Sequence, residues 1–274
     1  MADWYAKQQG PQAHETRGKT AQQRLRRLDR FLEAFDPALV SRAGGCVVDL
    51  GYGRVPFTTI EWFERLHPVH PGLRMVGVER EAERVAAARA MVSPALVDAG
   101  LSFRRGDFQL PMDDGESVVL CRAMNVLRQY EEAAAVSAHA QVVAQLAPGG
   151  LLAEGTCDPL GRTMVVALLR NGAGAVVSEG LLFAASLKEP VEPKRFKAVL
   201  PKHLIHRVVP GEAIHAFFES WEQAVRTTRG HASFGHRQHF VAAAEHLATA
   251  VPGVDSRRGW LRNGWLLWRA APYP

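Results

Sequence analysis

The chain has 274 residues, 47% hydrophobic and 22% charged, which is ordinary globular usage and excludes a disordered chain or a coiled coil. Its 33 Lys and Arg against 28 Asp and Glu give a net charge of +5, which favours anionic partners without requiring them. The three cysteines, Cys46, Cys121 and Cys157, are far apart in apolar runs, so they read as core thiols and not as a disulfide framework or a zinc site. Apolar runs such as Met164 to Leu169 are far short of the roughly 20 residues that span a bilayer, and no secretory signal opens the chain. A cytoplasmic location without membrane contact is expected.

In chain order, residues 1 to 18 are polar and read as an arm. It contains Arg17-Gly18-Lys19-Thr20, which lacks the upstream glycine and preceding strand of a phosphate loop. Thr20 is expected to cap a helix, and the arm to fold as a lid. In that helix Leu25, Leu28, Phe31, Leu32 and Phe35 share one face at 100° per residue, with Arg26, Arg27 and Arg30 opposite. Residues 46–50, 74–79, 101–105, 117–122 and 150–156 then read as strands, alternating with helical segments 58–66, 81–91 and 131–146. Such alternation predicts an α/β fold with a doubly wound, Rossmann-like, mostly parallel sheet, because parallel neighbours need crossover connections.

After Asp158 the rhythm changes. Two strands joined by a Gly-rich turn are predicted, then helices over 211–228 and 236–249, then a hairpin about Asn263-Gly264. The expected organisation is an N-terminal arm and helix over 1–40, a cofactor-binding core over 41–158, and C-terminal strands and helices over 159–274. These last would complete the sheet and the substrate pocket, within one structural domain.

The stretch CVVDLGYG places Asp49 two residues before Gly51-Tyr52-Gly53, just past the first strand. Glycines there let the chain turn sharply and let a ligand lie against bare backbone, and ligands of such sheets bind beyond the carboxyl ends of the strands. Three features disfavour a dinucleotide. Pro56 stands where a third glycine is expected, Asp49 would repel a pyrophosphate, and the first acid ending a later strand, Glu79, comes late. The same features suit a cationic nucleoside that carries an amino acid. Asp49 would face its ammonium, Glu79 both ribose hydroxyls, and Asp107 an adenine amino group, with Phe108 beside the ring. Taken singly, Glu79 and Asp107 are ordinary loop acids or helix caps.

In order, VVDLGYG, VGVER, RRGDF and LAPGGLLAEG resemble the motifs of the class I S-adenosylmethionine-dependent methyltransferases over residues 46 to 157. The pattern departs at Val55, where many members have a further glycine. The resemblance implies S-adenosylmethionine as cofactor, held by Asp49, Gly51, Tyr52, Gly53, Glu79, Arg80, Asp107, Phe108 and Arg122.

No catalytic residue is identified, and methyl transfer does not require a dedicated base, since positioning alone contributes about 7–11 kcal/mol. The fourth strand ends VVLCRAMNVLRQY and lacks the Asn/Asp-Pro-Pro-aromatic signature of nucleic-acid amino-methyltransferases. Asn125, Arg128 and Tyr130 there, with Glu154 and Asp158 at the fifth strand, are the substrate candidates. Asn125 also suits a turn, Arg128 and Tyr130 a helix start, and Asp158 a turn before Pro159. No metal site is expected, because no cysteine or acid accompanies His203 and His206. His231, His236, Arg237 and His239 read as solvated or capping residues.

The leading expectation is methyl transfer to a small-molecule acceptor with an acidic or phosphorylated group. The alternatives are an RNA methyltransferase, suggested by the Arg-faced first helix and by Lys194, Arg195 and Lys197, or a cofactor-binding protein without transferase activity. The acceptor atom and oligomeric state are not legible.

Overall fold

A computed structural model describes residues 21–42 and 44–274. The expected arm, the Thr20 cap and the Arg17–Thr20 motif lie outside them. Helix α1 (Arg26–Phe35) buries Leu28, Phe31 and Leu32, as the apolar spacing dictates, and also Asp29. A one-turn helix α2 (Pro37–Ser41) leads into β1 (Gly45–Leu50). The core continues through α3 (Phe57–Leu66), β2 (Arg74–Glu79), α4 (Ala82–Met91), the short α5 (Pro94–Asp98) and β3 (Leu101–Arg105). It ends with β4 (Ser117–Met124), α6 (Glu132–Ala144) and β5 (Leu146–Cys157).

All eight strands form one sheet, in the order β3-β2-β1-β4-β5-β6-β7-β8, where β6 is Thr163–Gly172, β7 Ala175–Ala185 and β8 Trp265–Trp268. Strands β1 to β5 pair in parallel and β6 to β8 antiparallel. The order reverses between β1 and β4, which opens a crevice at their carboxyl ends. Every residue of β1 is buried, as expected of a strand covered on both faces. Cys46, Val48 and Leu50 join the apolar layer under α6 and the C-terminal helices, while Val47 points to the opposite layer, which contains α1 and α3.

The C-terminal helices are α7 (Pro193–Lys197), α8 (Lys202–Ile205), α9 (Ala213–Thr227), α10 (His236–Ala250) and α11 (Arg258–Leu261). Phe183 of β7 stacks on Phe217 of α9 with ring centroids 4.9 Å apart, and Phe217 stacks on Trp268 of β8 at 4.4 Å. These contacts fasten the helices to the antiparallel half of the sheet.

The hairpin expected at Asn263-Gly264 does not form. The preceding residues are helix α11, Gly264 (φ +79°) closes it by donating its N–H to the Leu261 carbonyl at 2.9 Å, and β8 pairs with the distant β7. A left-handed glycine after a polar residue serves a helix end as well as a hairpin, and here the helix wins. Among the described residues, no helix is long and apolar enough to cross a membrane.

Candidate functional site

A shallow cleft, about 10 Å³ in cavity volume, opens at the carboxyl ends of β1, β2 and β3. Gly51, Glu79, Arg80, Asp107, Phe108 and Tyr130 line it, over an apolar floor of Leu50, Val78 and Val126. The sheet brings them together because β1, β2 and β3 end side by side, Glu79 being in register with Arg105. Gly51 has φ +72°, and a Cβ there would stand 2.6 Å from Val126, so only glycine lets the loop pass over β4. Gly53 (φ +84°) has nothing within 4 Å of its would-be Cβ, which leaves its backbone open to an approaching ligand.

Glu79 is 1% exposed and organises the loop. One carboxylate oxygen accepts the Gly53 N–H at 3.0 Å, and the other accepts the Arg80 N–H at 2.8 Å. Burial raises its pKa, against these N–H bonds and the Arg84 charge. Asp107 accepts the Gln109 N–H at 3.0 Å within its own turn. Phe108 and Tyr130 meet edge to face, centroids 5.5 Å apart, and form one wall.

Four residues expected at the cofactor do not line this cleft, Gly53 of the loop among them. Asp49 and Arg122 form a buried ion pair on the α1/α3 face of the sheet: Arg122 Nε donates to Asp49 Oδ1 at 2.9 Å and Nη2 to Oδ2 at 2.7 Å. Thr59 Oγ1 also donates to Asp49, at 2.7 Å. Arg122 continues to Asp29, which Arg65 meets from the other side, and the guanidinium lies 4.1 Å from the Trp62 ring centroid. Burial alone would favour a neutral guanidine, but Asp49 and Asp29 outweigh it and raise the Arg122 pKa further. Tyr52 turns away from the cleft and packs on Phe103, centroids 5.3 Å apart. Because side chains alternate along a strand, an acid next to the last residue of β1 falls on the face below the loop and not at its tip.

The substrate candidates divide similarly. Asn125 adopts a left-handed backbone (φ 63°) at the end of β4, and its Oδ1 accepts the Cys157 N–H at 2.9 Å, tying β4 to β5. Arg128 is exposed and reaches the Ala198 carbonyl. Asp158 accepts the Leu160 N–H at 2.8 Å and the Thr163 N–H, closing the β5–β6 turn. Glu154 is buried below the strand end, with its Oε2 3.2 Å from His139 Nε2. Of the five, only Tyr130 lines the cleft.

A second, larger cavity of about 590 Å³ lies where α1 meets the β5–β6 and β7 turns, lined by Arg24, Arg26, Arg27, Arg30, Arg162 and Lys188. Sequence reasoning found the arginines of α1 but not Arg162 and Lys188, which the turns deliver from far along the chain. Helix and turn touch directly: Arg27 Nη1 donates to the Gly161 carbonyl at 2.7 Å, and a Cβ on Gly161 would stand 1.9 Å from the Arg24 carbonyl oxygen. The basic residues of α7 are neutralised in place, Lys194 by Glu192, Arg195 by Glu189 and Glu192, and Lys197 by Glu222.

No protein-family profile matches the chain, and no curated protein does. Among solved structures it is similar to human N-acetylserotonin methyltransferase in complex with SAM, at 19% identity and a TM-score of 0.35, covering 47% of this chain and 32% of that one. It is also similar to N,N-8-amino-8-demethyl-D-riboflavin dimethyltransferase from Streptomyces davawensis, at 21% identity and a TM-score of 0.35, covering 47% and 35%. A third is a pericyclic reaction enzyme, at 17% identity and a TM-score of 0.35, covering 43% and 28%. The match thus spans about a third of the length of these proteins. The chain's own strand order gives it a Rossmann-like α/β fold, and its structural neighbours include class I S-adenosylmethionine-dependent methyltransferases, distant in sequence.

Proposed function

We propose that the chain is an S-adenosylmethionine-dependent methyltransferase acting on a small acceptor that carries an anionic group. The observation that carries this reading is the convergence of Gly51, Glu79, Asp107 and Phe108 on one cleft at the switch point of the sheet. These residues fit the cofactor. Phe108 and the floor of Val78 and Val126 offer an apolar slot for adenine, Asp107 an acceptor at its edge, and Glu79 a carboxylate within reach of a ribose. At about 10 Å³ the cleft is far below the roughly 300–1,000 Å³ of a full ligand pocket, so its walls would have to part to seat the adenosine portion. When bound, the cofactor supplies an electrophilic methyl group. The chain's own part is to hold Glu79 desolvated, orient the loop and keep water from the Phe108–Tyr130 wall.

Charge and volume support the acceptor class. The basic cavity, about 590 Å³, is within the range of small-molecule pockets, and its cations come from three separate segments. Tracking an RNA backbone calls for a longer run of unpaired cations, whereas those of α7 are matched by glutamates, as is Arg162 of the cavity by Glu189 in its lining. Asp49 and Arg122 act in this reading as the support beneath the loop.

The test is incubation with methyl-labelled cofactor and, separately, metabolite, RNA and protein fractions of a cell extract. Label in the metabolite fraction, lost in Glu79→Ala, supports the reading. Label in RNA moves the acceptor class, cofactor binding by calorimetry without label makes the chain a binding protein, and no binding at all overturns the proposal.

A further inference from the structure

On the α6 side of the sheet, away from the cleft, three side chains able to ligate a metal converge from distant parts of the chain. They are His139 of α6, Glu154 of β5 and His203 of α8, each offering one ligand atom within 4.8 Å of the others. Their exposures are 0%, 2% and 1%. His139 Nε2 lies 3.2 Å from Glu154 Oε2, and His139 Nδ1 lies 3.1 Å from the Tyr273 hydroxyl. His203 Nδ1 is buried with no hydrogen-bond partner among the described residues.

A buried carboxylate and an unpartnered imidazole nitrogen are costly to bury, the more so beside one another. Without an ion, a neutral His139 donates from Nε2 to Glu154 and accepts at Nδ1 from Tyr273, an imidazolium donates to both, and in either state His203 Nδ1 gains nothing. With an ion, the hydrogen bond to Tyr273 reverses. Nε2 turns its lone pair inward, Nδ1–H donates to the phenol oxygen, and the buried His203 ring lends one nitrogen to the ion. A ligating histidine whose other nitrogen is held by a polar group is the usual outer-shell arrangement.

The separation agrees with this. Two donors about 2.0–2.2 Å from one tetrahedral ion stand about 3.3–3.6 Å apart, a small side-chain shift from the 3.2 Å between His139 and Glu154 and from a set that lies within 4.8 Å. Two imidazoles and one carboxylate suit a divalent first-row transition metal, whereas calcium and magnesium prefer all-oxygen shells. We infer that His139, Glu154 and His203 bind one such ion, zinc foremost, with Tyr273 as the outer support of His139. The ligand set shares no residue with the cleft lining.

An ion there fastens α8 and the C-terminal residues to α6 and the middle of β5. Because α8 also packs on the Leu127–Gln129 turn that precedes Tyr130, the ion stiffens the wall of the cleft from behind.

The full chain, stripped with a chelator and dialysed free of metal, is titrated with zinc chloride against a chromophoric competitor. One tight equivalent is expected, weakened at least about 100-fold in Glu154→Gln and His203→Asn and about 10-fold in Tyr273→Phe. Cobalt(II) added to the unmodified protein should give the intense visible absorption of a four- or five-coordinate ion, a readout that needs no variant. Binding of equal strength in wild type and Glu154→Gln means that surface histidines such as His206 hold the zinc, and overturns the assignment. So does a weak six-coordinate cobalt spectrum, or no tight equivalent at all.

Discussion

Arg122 grips both carboxylate oxygens of Asp49 in a fork, Nε at 2.9 Å and Nη2 at 2.7 Å, with both side chains out of reach of water. Removing one member of such a pair leaves the other charge buried and uncompensated, which costs about 3–5 kcal/mol. Arg122→Ala and Asp49→Asn should therefore each lower stability by that order in urea unfolding. Had Asp49 served a ligand directly, Asp49→Asn would lower cofactor affinity and leave stability intact.

Glu79 makes the opposite prediction. Glu79→Ala should weaken binding of adenosylhomocysteine by about 1–3 kcal/mol, the scale of a hydrogen bond to a charged group, as read by calorimetry. The pH dependence follows from burial, which raises the carboxyl pKa in the folded protein. The native state takes the proton before the unfolded chain does, so this group's contribution to stability falls as pH rises from the ordinary carboxylate value through the higher native one. In the proposed role the carboxylate would hold the ribose, so affinity should rise over the same interval. The rise should vanish in Glu79→Gln.

Asn125 holds a left-handed backbone and presents its side-chain oxygen to the Cys157 N–H. Asn125→Ala loses both the tolerance of that backbone and the bond, and is expected to cost about 1–3 kcal/mol. Asn125→Gly restores the backbone freedom and should recover part of the loss in thermal melts. Equal losses for the two would place the whole effect in the hydrogen bond.

The three thiols are buried, and burial pushes all of them up, Cys46 to about 12. Since the thiolate is the reactive form, native protein should not react with a thiol-specific chromogenic disulfide at neutral pH, and denatured protein should release three equivalents. Rapid reaction of one cysteine in the native state would contradict the packing around it.

Strands β1 to β5 were legible because their apolar runs are short, punctuated by glycines and acids, and separated by helix-length segments. The cleft lining was legible where a residue stands at a strand tip, as Glu79 and Asp107 do, since the topology of a parallel sheet assigns those tips to one edge. Asp49 was misleading for the same reason. One residue short of the tip, the alternation of side chains sends it to the other face, where its partner Arg122 lies 73 positions away. Asp29 gave no signal, being a charge within an apolar helix face whose explanation comes from β4 and α3. The pairing of His139 with Glu154 and His203 depends on a helix, a strand and a short turn folding over one another, which no local spacing encodes. At Asn263-Gly264 the dipeptide carried the turn correctly, but which element preceded it was decided by the packing of Leu261 and Trp260.

Gly161 meets the main chain of Arg24 so closely that no side chain can come between them. The rim of the basic basin therefore packs backbone against backbone, and Arg27, bonded to the Gly161 carbonyl, ties α1 to it. If the proposed acceptor binds there, selection at that rim is a matter of fit to a preset outline, which even a single methyl at position 161 would redraw by displacing the chain at Arg24.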